Sequence, residues 1–140
     1  MGKRLTTYEY RKYGASGLMK PVIFCYQDEE LGKNAIGLNI RIAEKLSEIT
    51  SVCRTIRLPA IINSVIGELP ENSIIKDFDV LFNPEYAIDV LQLLIAACKK
   101  KEFAILWPGT YSDGKLVYAA NGYPDYKIFD LDKYDVTYVI

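Results

Sequence analysis

Apolar side chains follow two rhythms along this chain. Ile42, Leu46 and Ile49 recur at helical spacing with Arg41, Glu44, Lys45 and Glu48 opposite, which predicts an amphipathic helix. Pro59 suits the first turn of another helix through Ile61, Ile62, Val65 and Ile66, broken by the Pro70 to Ser73 stretch. Asn83 as cap, Pro84 and Glu85 begin a third, with Ile88, Leu91, Leu94, Ile95 and Cys98 on one stripe and three lysines, 99 to 101, complementing the dipole at its end. A further helix is expected from Pro21 to about Leu31, stopped at Gly32. The other rhythm belongs to strands. Unbroken apolar runs at Ile74 to Phe82 and Phe103 to Trp107 predict buried strands, Ala35 to Asn39 a short one, and the alternation of Thr7 to Tyr13 a first strand leading into the loop Gly14-Ala15-Ser16-Gly17.

Past Trp107 the pattern changes. Ser112-Asp113-Gly114 and Asn121-Gly122 are hairpin turns around Lys115 to Ala119, and short strands are expected near Tyr126 to Phe129 and Val136 to Val139. Strands alternating with helices imply a parallel sheet, to which this tail adds antiparallel hairpins. The expected fold class is therefore α/β, one domain over residues 1–140.

Composition narrows the chemistry. With 17 basic and 18 acidic residues the chain has no general attraction for phosphate backbones, so direct nucleic-acid binding is not expected. No apolar stretch approaches a membrane span or a signal-peptide core after Met1-Gly2-Lys3-Arg4, which points to a cytoplasmic protein. Cys25, Cys53 and Cys98 lie far apart and read as small hydrophobes. The absence of histidine removes Ser-His and Cys-His nucleophiles and the commonest metal ligand. Eleven tyrosines offer amphipathic area for packing or for partner surfaces; the tail's aspartates make it a poor single-strand stacking platform.

The ordered set Gly37-Leu38-Asn39-Ile40-Arg41-Ile42-Ala43-Glu44-Lys45-Leu46, Arg57-Leu58-Pro59, Asp79-Val80-Leu81-Phe82-Asn83-Pro84, Trp107-Pro108-Gly109, Asp113 to Ala119 and Gly122 to Tyr126 resembles the BrxF family. These are the small P-loop NTPase-like proteins of type 3 bacteriophage-exclusion (BREX) systems, and the similarity spans residues 36 to 130. It implies a P-loop NTPase-like three-layer sandwich with a mostly parallel central sheet and C-terminal antiparallel hairpins. It also implies a defence assembly with a larger ATPase, a DNA adenine methyltransferase, a helicase and an alkaline-phosphatase-like protein.

Such a fold would take ATP and Mg²⁺, so the phosphate-handling positions matter. A Walker A loop needs two glycines, a lysine and a hydroxyl. In the register Gly14 to Pro21 the cofactor-binding candidates are Gly14, Gly17 and Lys20, but Met19 stands at the second glycine and Pro21 at the hydroxyl. A plain strand-to-helix turn is the alternative. Gly32-Lys33-Asn34 reads as a helix end. Asp77 and Asp79 are the metal candidates, with Asp79 the catalytic residue if the protein is active; the alternative is an acidic strand end paired with Lys76 or solvent. Aligned on the family, Lys76 takes the first acidic position, and Pro108 replaces a polar phosphate-sensing residue. The expected function is a non-catalytic or weakly nucleotide-binding adaptor in a BREX-type complex. The alternatives are an active small ATPase of the same system and a small-molecule-binding α/β module unrelated to defence.

Overall fold

The computed structural model describes residues 2–14 and 17–140. Met1, Ala15 and Ser16 lie outside the described residues, so the Gly14 to Gly17 loop is seen only at its two ends. Six strands form one sheet in the order β1 (Lys3–Leu5), β9 (Thr137–Val139), β2 (Val22–Phe24), β5 (Ala104–Leu106), β4 (Ile74–Lys76), β3 (Ile36–Gly37), and all its pairings are parallel. A separate antiparallel sheet holds β6 (Thr110–Ser112), β7 (Lys115–Tyr118) and β8 (Lys127–Asp130). The expected α/β class with a mostly parallel sheet is what the chain adopts. The hairpin strands do not extend the main sheet, and the last strand runs parallel between β1 and β2.

Alternation along each strand sends side chains to two faces. Ile23, Ile75, Ile105 and Tyr138 join the larger core with the buried residues of α3 (Asn39–Ser47), α4 (Arg54–Gly67) and α5 (Val90–Lys100). Val22, Phe24, Leu106 and Val139 form a smaller one, packed by Tyr10 of α1 (Thr7–Tyr13) and Leu31 of α2 (Glu29–Asn34). Among the described residues, no single helix is long and apolar enough to cross a membrane.

The first thirty residues correct the sequence reading. Thr7–Tyr13 is a helix, because Thr6 caps the Glu9 amide while the Glu9 carboxylate accepts from the Thr6 amide, the reciprocal pair that fixes a helix start. The expected helix from Pro21 is instead strand β2, whose three residues are all buried, and the helix begins only after Asp28. Pro59 lies inside α4, which starts upstream at Arg54, held by Arg54 Nε donating to the Leu46 and Ile49 carbonyls. The run from Ile74 stays a strand for three residues only, since Asp77 takes a left-handed φ of 48° and turns the chain into a 3-10 segment, Asp79–Phe82. Asn83 caps a 3-10 turn, Pro84–Tyr86; Ala87 at φ 46° ends it, and Asp89 caps α5.

Lys101 stands past the end of α5 and bonds the Gly67 and Leu69 carbonyls at the end of α4, with Glu71 nearby at 3.9 Å. One lysine of the run therefore ties two helix ends together.

Candidate functional site

In a parallel sheet, ligands bind outside the carboxyl ends of strands where neighbouring connections diverge. Here that place lies between β2, which leads to the far edge of the sheet, and β5, which crosses back over it to β9. Gln27 follows β2 and donates through Nε2 to the Trp107 carbonyl after β5 at 3.4 Å. Around them Gly32, Lys76, Asp77, Leu106, Trp107 and Pro108 line a cavity of about 170 Å³. Drug-sized ligands occupy roughly 300–1,000 Å³, so a nucleoside triphosphate is too large for this crevice as it stands.

The groups at the crevice are turned inward. Lys76 Nζ donates to the Gly32 carbonyl at 2.8 Å, placing the one lysine that lines the cavity against the last turn of α2. The free amides at the start of that helix are taken by the protein's own carboxylate: Asp28 Oδ1 accepts from Glu30 at 2.8 Å and from Leu31 at 3.4 Å. Glu29 and Glu30 add negative charge to the first turn, where a phosphate would otherwise gain from the helix dipole. The helix is six residues long and runs through Gly32, the expected stop, to Asn34, with Ala35 as its cap, so Gly32-Lys33-Asn34 is its last turn.

The remaining candidates do not converge. Gly14, Gly17 and Lys20 lie between α1 and β2, a helix-to-strand connection at the amino end of the strand. A phosphate loop needs the reverse order, strand then helix, so the Gly14 to Lys20 register does not form one. Lys20 lines a different cavity of about 240 Å³ with Tyr10, Asn72, Glu102 and the apolar floor Val22, Phe24 and Ala104. Asp77 and Asp79 do reach the carboxyl edge, but not as a pair on one strand face. Asp77 lies against Gly37, where an added Cβ would stand 3.2 Å from its Oδ2.

Asp79 is a bracket. Its Oδ1 accepts from Asn39 Nδ2 at 3.3 Å and its Oδ2 from the Tyr118 hydroxyl at 2.8 Å, while Asn39 Oδ1 accepts from the Val80 amide. One carboxylate thus joins the start of α3, the turn after β4 and the hairpin sheet. Tyr118 lies flat on Phe82, ring centres 3.8 Å apart, and Phe82 meets Trp107 and Phe129 edge-on. Burial, then the bond to Asp79, pushes the Tyr118 phenol well above its ordinary value. Tyr118 is half-buried against the core, whereas Tyr123 is 65% exposed. Among the described residues, no group of three or more carboxylate or cysteine side chains is placed to hold a metal ion.

Of the cysteines, Cys98 is buried as expected, Cys25 is half-buried at the end of β2 and Cys53 is exposed. Burial pushes the Cys25 thiol up to about 12, which leaves it unreactive near neutrality.

Sequence reasoning missed Asp28, Asn39 and Tyr118. The run Asp28-Glu29-Glu30 carried a helix-cap signal, since Asp at the cap and Glu in the first turn mark a helix start. Nothing local marks Asn39 or Tyr118, because both act on Asp79 from about forty residues away. No family model, curated protein or solved structure matches the chain.

Proposed function

We propose that this chain is a non-catalytic subunit of a BREX-type anti-phage defence complex, built on a P-loop NTPase-like fold with a closed nucleotide site and acting by binding the larger ATPase or the methyltransferase machinery. The observation that carries the non-catalytic half is the crevice between β2 and β5. Its lysine is bonded to Gly32, the Glu30 and Leu31 amides at the start of the following helix are capped by Asp28, and Asp77 adds a carboxylate to its lining. These residues do not fit Mg-ATP, so no hydrolytic step is derived for them.

The defence half rests on the resemblance across residues 36 to 130. Its segments, far apart in sequence, meet in one cluster of Asp79, Phe82, Trp107 and Tyr118. The motif set accordingly reads as the packing code that docks the hairpin sheet on the parallel sheet. That favours a protein kept for its shape over one kept for turnover.

Two measurements test the proposal. Titration calorimetry with Mg-ATP is expected to give no binding heat; micromolar affinity would move the reading to an active small ATPase. Affinity isolation of the tagged chain from its own cell, followed by mass spectrometry, is expected to bring down the larger ATPase, the adenine methyltransferase and the phosphatase-like protein. Recovery of none of them, with phage resistance unchanged on deletion, would remove the defence assignment.

A further inference from the structure

Among the described residues, the two most exposed large apolar side chains lie together at the start of α4. Val52, in the 3-10 turn Ser51–Cys53 that leads into the helix, is 85% exposed and Ile56 83%. Ile56, Ala60 and Ser64, the last two also exposed, stand four residues apart along one ridge of α4, and Val52 precedes them in the turn that leads into it. Beside that ridge runs a groove of about 340 Å³ lined by Lys45, Glu48, Ile49, Arg57, Ala60 and Ser64, along with Ile61. Lys45 is engaged by Glu68 at 3.0 Å, whereas Glu48 and Arg57 are exposed and, among the described residues, in no ion pair.

From this we infer that the α3–α4 face is a two-fold interface between two copies of the chain. The ridge is bulky at one end, Val52 and Ile56, and small at the other, Ala60 and Ser64. A rotation axis crossing it between Ile56 and Ala60 turns the second helix end for end, setting each bulky half over the partner's small half. An isologous contact requires this self-complementarity. The charges obey the same rule: an unpaired base and an unpaired acid on one face satisfy a second copy of that face, with Arg57 of each protomer meeting Glu48 of the other.

A lipid surface fits less well. Interfacial membrane helices carry Lys and Arg on their polar border, whereas the groove beside this ridge holds Glu48 with Lys45 and Arg57, and Lys45 is already neutralised by Glu68. The pairing is independent of the nucleotide and defence readings and would hold if both failed.

Sedimentation velocity of the full chain across micromolar to submillimolar concentrations is the test. A reversible monomer–dimer equilibrium is expected. Ile56→Asp, at an exposed position that leaves the circular dichroism unchanged, should weaken dimerisation at least about 100-fold by placing two carboxylates at the centre of the contact. Arg57→Glu and Glu48→Arg should each weaken it about tenfold, and the two together should return it to within about threefold of the parent, since reversal of both charges recreates the pair. A monomer at every concentration overturns the inference, as does a dimer indifferent to Ile56→Asp. Loss of association in both charge variants without recovery in the double variant rejects the two-fold arrangement.

Discussion

Removing one hydroxyl tests the account of Asp79. Tyr118→Phe keeps the ring on Phe82 and deletes only the O–H donated to the Asp79 carboxylate. Hydrogen bonds to charged groups contribute roughly 1.5–3 kcal/mol, and the half-buried setting argues for the lower end, about 1.5 kcal/mol. With an unfolding entropy of about 2.1 cal/mol/K per residue, a chain of 140 residues has roughly 0.3 kcal/mol/K at its midpoint, so the expected drop in Tm is about 5 °C. Asp79→Ala removes the Asn39 bond as well and should cost more, roughly 2–3 kcal/mol. Because both substitutions break the same bond, the double variant should fall short of the sum by about 1 kcal/mol. Thermal and urea melts followed by circular dichroism give all four corners of the cycle. Additive losses, or a Tyr118→Phe melt within about 1 °C of the parent, would refute the bracket. A Tm that rises with Mg²⁺ in the parent but not in Asp79→Asn would instead make Asp79 a metal ligand.

Other expectations follow from the same geometry. Gly109→Ala would drive a methyl group into the Val117 carbonyl, which also accepts the Trp107 indole N–H; a loss of about 3 kcal/mol or more and a red-shifted tryptophan emission are expected, and a parent-like melt would contradict the close approach. Under native conditions at pH 8, a thiol reagent should modify Cys53 quickly. Cys25, raised from 9.0 to about 12, carries about a thousandfold less thiolate and should react only after denaturation, so three equally fast thiols would be evidence against its burial. Tyr118 and Tyr134 both have folded-state phenols raised above 10.0, by burial first and then by their bonds to Asp79 and Asp89. The unfolded chain therefore ionises first, so stability is full below pH 10 and declines as the pH rises beyond it. Melts from pH 8 to 11 should show that decline, flattened in Tyr118→Phe and Tyr134→Phe.

What the sequence discloses depends on how far apart the deciding residues are. The stripe of α3 and the Asp113-Gly114 hairpin turn are local patterns that form where expected, whereas the α5 stripe becomes helix only from Val90, the expected start at Asn83 having turned into a separate 3-10 segment. Three-residue strands such as β2 carry too few positions for a period, so Val22 to Phe24 was indistinguishable from a helical start. In α1 the aromatic alternation outweighed a Thr6-x-x-Glu9 capping box that decides the matter physically. Aromatic alternation over Thr7 to Tyr13 makes Gly14 to Lys20 resemble a strand-to-helix loop, whereas the chain uses it to connect a helix to the amino end of a strand. The crevice between β2 and β5 depends on Gln27 finding Trp107 and Lys76 finding Gly32, pairings set by topology and by no local spacing.

The position of β9 bears on how the chain assembles in time. Lys3 to Leu5 pair only with Thr137 to Val139, and both the Thr7 amide and its hydroxyl donate to the Ile140 carbonyl, 133 positions away. β1 is made long before β9, and among the described residues it has no other strand to pair with until β9 emerges. β2 likewise waits for its second neighbour. Contacts of such long span slow folding, because the loop must close before the pairing can form. During elongation the helices and the β4–β5 pair can consolidate before β9 is made, and its arrival joins β1 to the rest of the sheet in one step. β9 thus acts as a latch between β1 and β2 that can shut only after the long stretch of chain separating it from them has been made.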